Sequence, residues 1–101
     1  QATKIMFYFV YVLHSIKDGK FYTGATSDLK KRVEEHNSGK NFSTSYRQPL
    51  QLIYYEAYVL KEDAFAREKY LKTTMGKRVL KKQLGHLINS LKTDKIDIVS
   101  V

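Results

Sequence analysis

The stretch that most constrains this fold is a hairpin near the start of the chain. Phe7 to Leu13 is rich in aromatic and β-branched residues, which suit a pleated, half-buried strand. Lys17-Asp18-Gly19-Lys20 follows, and an Asp-Gly pair tolerates the positive φ angles that tight hairpins need. Phe21 to Ala25 is then the partner strand. The apolar run from Ile5 to Leu13 is too short to cross a bilayer as a helix. It lacks the small-residue cleavage signature of a signal peptide. The expectation is a buried strand, no targeting segment and a cytoplasmic location.

Downstream, Thr26-Ser27-Asp28 reads as a helix start, because hydroxyls cap free N–H groups and Asp favours the positive helix end. That helix is expected to run to about His36, with Leu29 and Val33 as its apolar stripe and Asn37-Ser38-Gly39 as its end. Gly39 to Pro49 is a long loop, and long loops in compact domains are often functional. Leu50 to Val59 reads as a third strand. Asp63 to about Thr74 reads as a second helix, broken by Gly76. Residues 77 to 91 read as a third helix, since Leu80, Leu84, Leu87, Ile88 and Leu91 recur at helical spacing. The tail after Leu91 reads as a short strand or as disorder. With no repeat, linker or low-complexity stretch, residues 1–101 form one domain with its core at about 7–91. The expected class is α+β: a small three-stranded antiparallel sheet with helices packed on it, in the order β-β-α-β-α-α.

Composition narrows the function classes. Hydrophobic residues make up 43% of the chain, which excludes a disordered tail. The absence of cysteine removes disulfides, thiolate catalysis and thiolate metal sites together. Lys plus Arg number 18 against 10 acids, a formal net charge of +8 that calls for an anionic partner. Nucleic acid and an anionic membrane surface both satisfy that charge, as does a merely soluble basic protein. The membrane reading is disfavoured, because no helix has a broad apolar face opposite its lysines beyond what a core requires.

Several residues carry potential chemistry. Glu68 lies four residues after Ala64 and three before Leu71, on the same helix face. A carboxylate on such a stripe is costly unless paired, by a metal ion or by a cation such as Arg67 or Lys72. Arg32 and His36 are four apart on the first helix, at the border of its apolar stripe. Arginine offers a planar fork of donors that suits a phosphate, and histidine carries a proton near neutral pH. Tyr11 and Tyr22 lie on the two hairpin strands, either as core residues with a polar tip or as phenols in a site.

The order of these pieces is more specific than any one of them. Phe9-Val10-Tyr11 and Tyr22-Thr23-Gly24 are followed by Arg32, His36-Asn37 and Gly39, then Thr44, Pro49-Leu50, and Ala64 with Arg67-Glu68 and Lys72. From about Phe7 to Leu84 the chain resembles the GIY-YIG nuclease superfamily, in particular the small standalone branch similar to the N-terminal domain of the UvrC excinuclease. The resemblance implies that Tyr11 and Tyr22 place phenols in an active site, that Arg32 is the family arginine and that Glu68 holds a single metal ion. His36 matches a position where relatives carry histidine or tyrosine. The chain departs from the family pattern at Phe9, where the motif has glycine, and at Thr23, where it has isoleucine. Ala25 stands where some relatives place a lysine.

The implied activity is a divalent-metal-dependent DNA endonuclease, linked to DNA repair or recombination, with branched or damaged DNA as its substrate and RNA left open. The alternative is a non-catalytic nucleic-acid-binding module that keeps the nuclease fold. Mg²⁺ or Mn²⁺ is expected, one per site, because a lone protein carboxylate suits a hard ion that keeps its waters. Tyr11, Tyr22 and His36 all remain candidates for the general base. For the DNA backbone, the candidates are Lys69, Lys72, Lys77, Arg78, Lys81 and Lys82 on the later helices and Lys30, Lys31 and Arg47 beyond them. Thr44, in the loop from Lys40 to Arg47, is a further substrate contact. The lack of a sequence-reading module leaves targeting to DNA structure or to a partner protein, and leaves the oligomeric state open.

Overall fold

In the computed structural model, residues 4–38 and 49–92 are described. The expected loop at 39–48, with Thr44 and Arg47, and the tail from 93 onward lie outside the described residues. Strands β1 (Tyr8–Ser15) and β2 (Phe21–Thr26) form the expected hairpin. Gly19 takes a φ of 71° at its turn, and the Asp18 carboxylate accepts from the Lys20 amide at 2.9 Å. Helix α1 (Leu29–Asn37) is capped by Asp28, whose side chain accepts from the Lys31 amide. Strand β3 (Leu50–Tyr58) is followed by α2 (Lys61–Leu71), α3 (Thr74–Gln83) and α4 (Gly85–Lys92). The sheet is antiparallel in the order β2-β1-β3, which makes the first strand central. The fold is therefore α+β, with the expected strand–helix order and the last helical stretch divided in two.

Each face of β1 feeds a separate core. Val10 and Val12 join Ala64, Leu71 and Leu80 of the α2–α3 layer. Tyr11 and Leu13 join Leu50, with Leu29 and Val33 of α1 packed against them. A bulge in the β1–β3 register lets β3 serve both cores. Val12 pairs with Tyr54 but Leu13 pairs with Leu52, so Ile53 is the extra residue. Without it, Leu50, Leu52, Tyr54, Glu56 and Tyr58 would all share one face. With it, Leu50 and Leu52 pack toward α1, and Tyr54 and Tyr58 pack toward α2 and α3.

On that second face an ion pair bolts α2 to the sheet. Arg67 donates to both Glu56 oxygens, Nε at 3.0 and 3.2 Å and Nη2 at 3.0 Å. The Tyr54 and Tyr58 hydroxyls donate to the same carboxylate at 2.5 Å each. Burial alone would raise the Glu56 carboxyl, but these hydrogen bonds outweigh it and hold it below its ordinary range. Burial, reinforced by the Glu56 carboxylate, pushes the Tyr58 phenol up to about 12.

Two helix boundaries differ from the sequence expectation. Gly76 does not break a helix but lies in the first turn of α3. The chain turns at Lys72-Thr73 instead, where the Thr73 side chain caps α3 by accepting from the Gly76 amide. A β-carbon at Gly76 would lie 1.9 Å from the Tyr70 carbonyl oxygen and 2.8 Å from the Leu71 Cα. This glycine permits the close approach of α3 to the end of α2. The break between α3 and α4 falls at Leu84, with φ −102° and ψ 28°. It is shallow, since Leu84 N–H reaches Leu80 O and Ile88 N–H reaches Leu84 O, both at 2.9 Å.

Gly76→Ala should lower stability by at least about 1–3 kcal/mol, because backbone must shift to admit the methyl group. Gly85→Ala, with nothing within 4 Å of its added carbon, should be neutral or slightly stabilising. Denaturant titration of both variants checks the contrast.

Candidate active site

The central feature is the Tyr11 phenol. It lies on the α1 face of β1, directly opposite Gly24 of β2. A β-carbon at Gly24 would fall 2.3 Å from the Tyr11 hydroxyl oxygen and 2.5 Å from its Cζ. The bare glycine thus makes the space the phenol occupies, which explains physically why Gly24 follows Tyr22-Thr23.

Helix α1 brings two side chains to that hydroxyl. Arg32 Nε donates to the Tyr11 oxygen at 3.3 Å, and His36 Nε2 lies 3.0 Å from it. The arginine donates to the phenol oxygen, and in the imidazole tautomer with its proton on Nδ1 the phenol donates to His36 Nε2. Their i, i+4 spacing lets one helix face supply both groups. The Tyr11 and His36 rings meet edge to face, with centroids 5.9 Å apart. The Arg32 side chain remains 41% exposed, with Nη1 only 3.6 Å from Glu35. Its guanidinium therefore reaches solvent, beside a polar cleft of about 370 Å³ that Lys31, Arg32 and Asp28 help line.

Burial raises the Tyr11 phenol above its ordinary 10.0, and the adjacent Arg32 only partly opposes this. Burial, with help from the Arg32 charge, lowers His36 below 6.5. At neutral pH the pair is therefore a protonated phenol against a neutral imidazole.

Glu68 approaches from α2. Its carboxylate raises the Tyr11 phenol and the Lys72 ammonium lowers it, so both charges act on the same hydroxyl. Of the two cations expected beside Glu68, Lys72 is the partner, with Nζ 3.1 Å from Oε2 and the Glu68 side chain 23% exposed. Arg67 is committed to Glu56. No group of three or more His, Cys, Asp or Glu side chains capable of holding a metal occurs among the described residues. A lone carboxylate does not fit zinc, which takes three or four protein ligands. It fits magnesium or manganese as a single anchor, the other positions going to water and substrate oxygens.

Tyr22 shares the Tyr11 face and packs into the same core cluster. Its hydroxyl, however, donates to Asp18 Oδ2 at 3.0 Å, in the hairpin turn. The structure thus gathers Tyr11, Arg32 and His36, sets Glu68 and Lys72 within their field, and turns the Tyr22 hydroxyl toward the hairpin. The basic candidates divide between the two sides of the sheet. Lys30 and Lys31 are exposed on α1, whereas Lys69, Lys72, Lys77, Arg78, Lys81 and Lys82 are exposed on the α2–α3 layer. Thr74, Lys77, Arg78 and Lys81 line a shallow cleft of about 360 Å³. Sequence reasoning missed the Asp18–Tyr22 contact and the Glu56–Arg67 pair. The alternation of Tyr54, Glu56 and Tyr58 was the signal available for the second.

A hairpin, a capped helix bearing Arg32 and His36, a third strand and a later helix bearing Glu68 follow in the order that the nuclease resemblance implied. Residues 7–83 match the model of the GIY-YIG catalytic domain, and the chain belongs to that family. It is 37% identical over 75 residues to a UPF0213 protein of Staphylococcus saprophyticus, covering 73% of this chain and 90% of the relative. It is 46% identical over 65 residues to a UPF0213 protein of Streptococcus pyogenes, covering 63% and 70% respectively. Among solved structures, the solution NMR structure of a UPF0213 protein from Bacillus halodurans is similar, with a TM-score of 0.54 and 33% identity. That match covers 93% of this chain and all of the other. No described helix is long and apolar enough to cross a membrane.

The depressed His36 predicts a pH dependence of stability. His14 is likewise held below 6.5, by burial. As pH falls below 6.5 the unfolded chain binds protons that the folded chain resists, so stability drains until the folded values are passed. Glu56 adds a separate loss below its ordinary 4.5. Thermal melts should be level from about pH 7.5 to 9 and fall toward pH 5. His36→Gln should flatten part of that slope, and a level wild-type profile across the whole range would contradict the assignment.

Proposed function

We propose that this protein is a divalent-metal-dependent endonuclease that hydrolyses DNA phosphodiester bonds. The observation carrying the reading is the Tyr11 hydroxyl held between the Arg32 guanidinium and a neutral His36 imidazole, within the field of Glu68. Membership of a nuclease family supports the same class.

The residues divide the work as follows. Arg32 keeps Nε on Tyr11 and turns its terminal nitrogens to a nonbridging phosphate oxygen, where they stabilise developing charge. Tyr11 is too weak an acid to wait as a phenolate, because burial raises it. It acts instead as a relay: a water gives its proton to the Tyr11 oxygen while the phenol proton passes to His36 Nε2. The resulting hydroxide attacks phosphorus, and the bridging oxygen leaves with its electron pair. Tyr22, whose hydroxyl is engaged with Asp18, holds the hairpin beneath the site. Glu68 is the metal anchor, with Lys72 moving from the carboxylate toward the incoming phosphate. Mg²⁺ or Mn²⁺ held there would supply Lewis-acid charge to the phosphodiester. The exposed lysines of α2 and α3 give backbone affinity without sequence reading. This fits structure-selective cutting in DNA repair or recombination.

One observation favours the second reading, a binding module without catalysis. The Lys72 ammonium already satisfies Glu68 at 3.1 Å, so the carboxylate needs no metal for stability.

The discriminating experiment uses supercoiled plasmid and flapped oligonucleotides with magnesium, manganese or chelator. Metal-dependent nicking is expected, with Arg32→Ala and Glu68→Ala reducing the rate by roughly 100- to 1,000-fold, the usual scale for losing one charge-stabilising group. Tyr11→Phe should cost far more than Tyr22→Phe. Salt-sensitive binding with no cutting in any metal would leave the binding module.

A further inference from the structure

Helix α1 covers only part of its face of the sheet. Leu13, Leu50 and Leu52 lie beneath Leu29 and Val33. Among the described residues, the same face continues past Tyr11 to an aromatic pair that no helix covers. Tyr55 is the direct cross-strand partner of Tyr11, and Phe9 precedes Tyr11 by two residues on the same side. Their rings meet edge to face, with centroids 5.8 Å apart and planes at 68°. Tyr55 is 53% exposed. Ala57, opposite Phe9, is exposed and has no side chain that would shield the Phe9 ring.

A single exposed aromatic residue is ordinary on a protein surface. The position of this one is not. Directly opposed strand residues hold their Cβ atoms about 4.5–5.5 Å apart, so the Tyr55 side chain begins one cross-strand step from the Tyr11 Cβ on the β3 side, while the Tyr11 hydroxyl lies over Gly24 on the β2 side. Of the charges around the phenol the cations are the more exposed: Arg32 at 41% against 32% for its neighbour Glu35, and Lys72 at 56% against 23% for its partner Glu68. A ligand fitting both halves carries an anion beside a flat, uncharged π-face. Inside a duplex, base stacking hides that face. An unpaired nucleotide presents it within reach of its own phosphate.

We propose that Phe9 and Tyr55 form a stacking platform for an unpaired nucleobase next to the phosphate held at Arg32, making single-stranded DNA and single-strand junctions the preferred substrate class. The inference rests on the proposed nuclease reading for the position of the phosphate, but its test is a binding measurement that needs no cleavage. A stack on one aromatic side chain is worth roughly 5- to 150-fold in affinity and tolerates any base. The edge-to-face support from Phe9 holds the Tyr55 ring in place, so less freedom is lost when a base settles on it.

The test measures binding of fluorescein-labelled oligothymidine and of a matched duplex by anisotropy, in chelator, for the full chain and for Tyr55→Ala, Tyr55→Phe and Tyr55→Trp. The wild type should prefer the single strand. Tyr55→Ala should weaken single-strand binding roughly 5- to 150-fold and leave duplex binding within twofold, while Tyr55→Phe and Tyr55→Trp retain single-strand affinity. Thermal melts confirm that each variant is folded. Unchanged single-strand affinity in Tyr55→Ala, equal losses on both DNAs, or a wild type that prefers duplex would each overturn the platform. Absence of cutting in the plasmid assay, with this binding pattern intact, would remove the nuclease reading and keep the platform.

Discussion

Everything in this fold hangs on the alternation of side chains along β1. It is the central strand, paired along both edges, and a separate core packs on each of its faces. Val10 and Val12 fill one side, and Tyr11 and Leu13 fill the other. A slip of one residue in its pairing would exchange the two sets. Tyr11 would then enter the α2–α3 core with its hydroxyl unpaired, and a valine would face Arg32 and His36. The core pattern and the candidate site are thus a single constraint, because the residue at the centre of that site is also a core residue. Gly24 belongs to that constraint, since any side chain there would occupy the volume of the phenol.

Strand β3 solves a different problem. In a regular strand Leu50 and Leu52 would share a face with Tyr54 and Tyr58, and the strand could not supply both cores with these residues. The extra residue at Ile53 changes the phase partway along. The first half then closes the α1 core, and Asn37 anchors it by exchanging two 2.8 Å hydrogen bonds with the Leu50 backbone. The second half presents Glu56 to Arg67. That ion pair lies one residue before Glu68 and ties α2 to β3, so it restrains the rotation of the helix that carries Glu68. A bidentate arginine–carboxylate pair suits this task, since its planar fork defines direction as well as distance.

Which of these features were legible in the sequence follows from how local they are. The hairpin was readable because Asp18-Gly19 and its flanking strands are contiguous, and α1 because Asp28 caps it and Leu29 and Val33 give its stripe. The trio of Tyr11, Arg32 and His36 came from a resemblance, and its members are joined by contacts across 21 and 25 residues of chain. No periodicity could have supplied those. Gly76 was misread because glycine weakens helices in general, whereas here it satisfies a contact with α2 that only the packed structure contains. The split at Leu84 was invisible because the i→i−4 hydrogen bonds at Leu84 and Ile88 continue through it, leaving the spacing of apolar residues intact. The Ile53 bulge was hidden because the run Leu52-Ile53-Tyr54-Tyr55 interrupts the alternation without showing which residue is the extra one.

The charge pattern explains how a strongly basic chain tolerates a carboxylate at the point where a phosphate would bind. Glu68 raises the Tyr11 phenol, while Arg32 and Lys72 lower it. A cation held at Glu68 would offset that opposition, and Lys72 is the group it would compete with, since the ammonium already lies 3.1 Å from Oε2. Left unneutralised, Glu68 would repel a phosphate and hold the phenol proton more firmly. The Glu68–Lys72 pair and the Tyr11 hydroxyl are thus parts of one electrostatic balance, in which the charge left on the carboxylate sets how readily the phenol ionises.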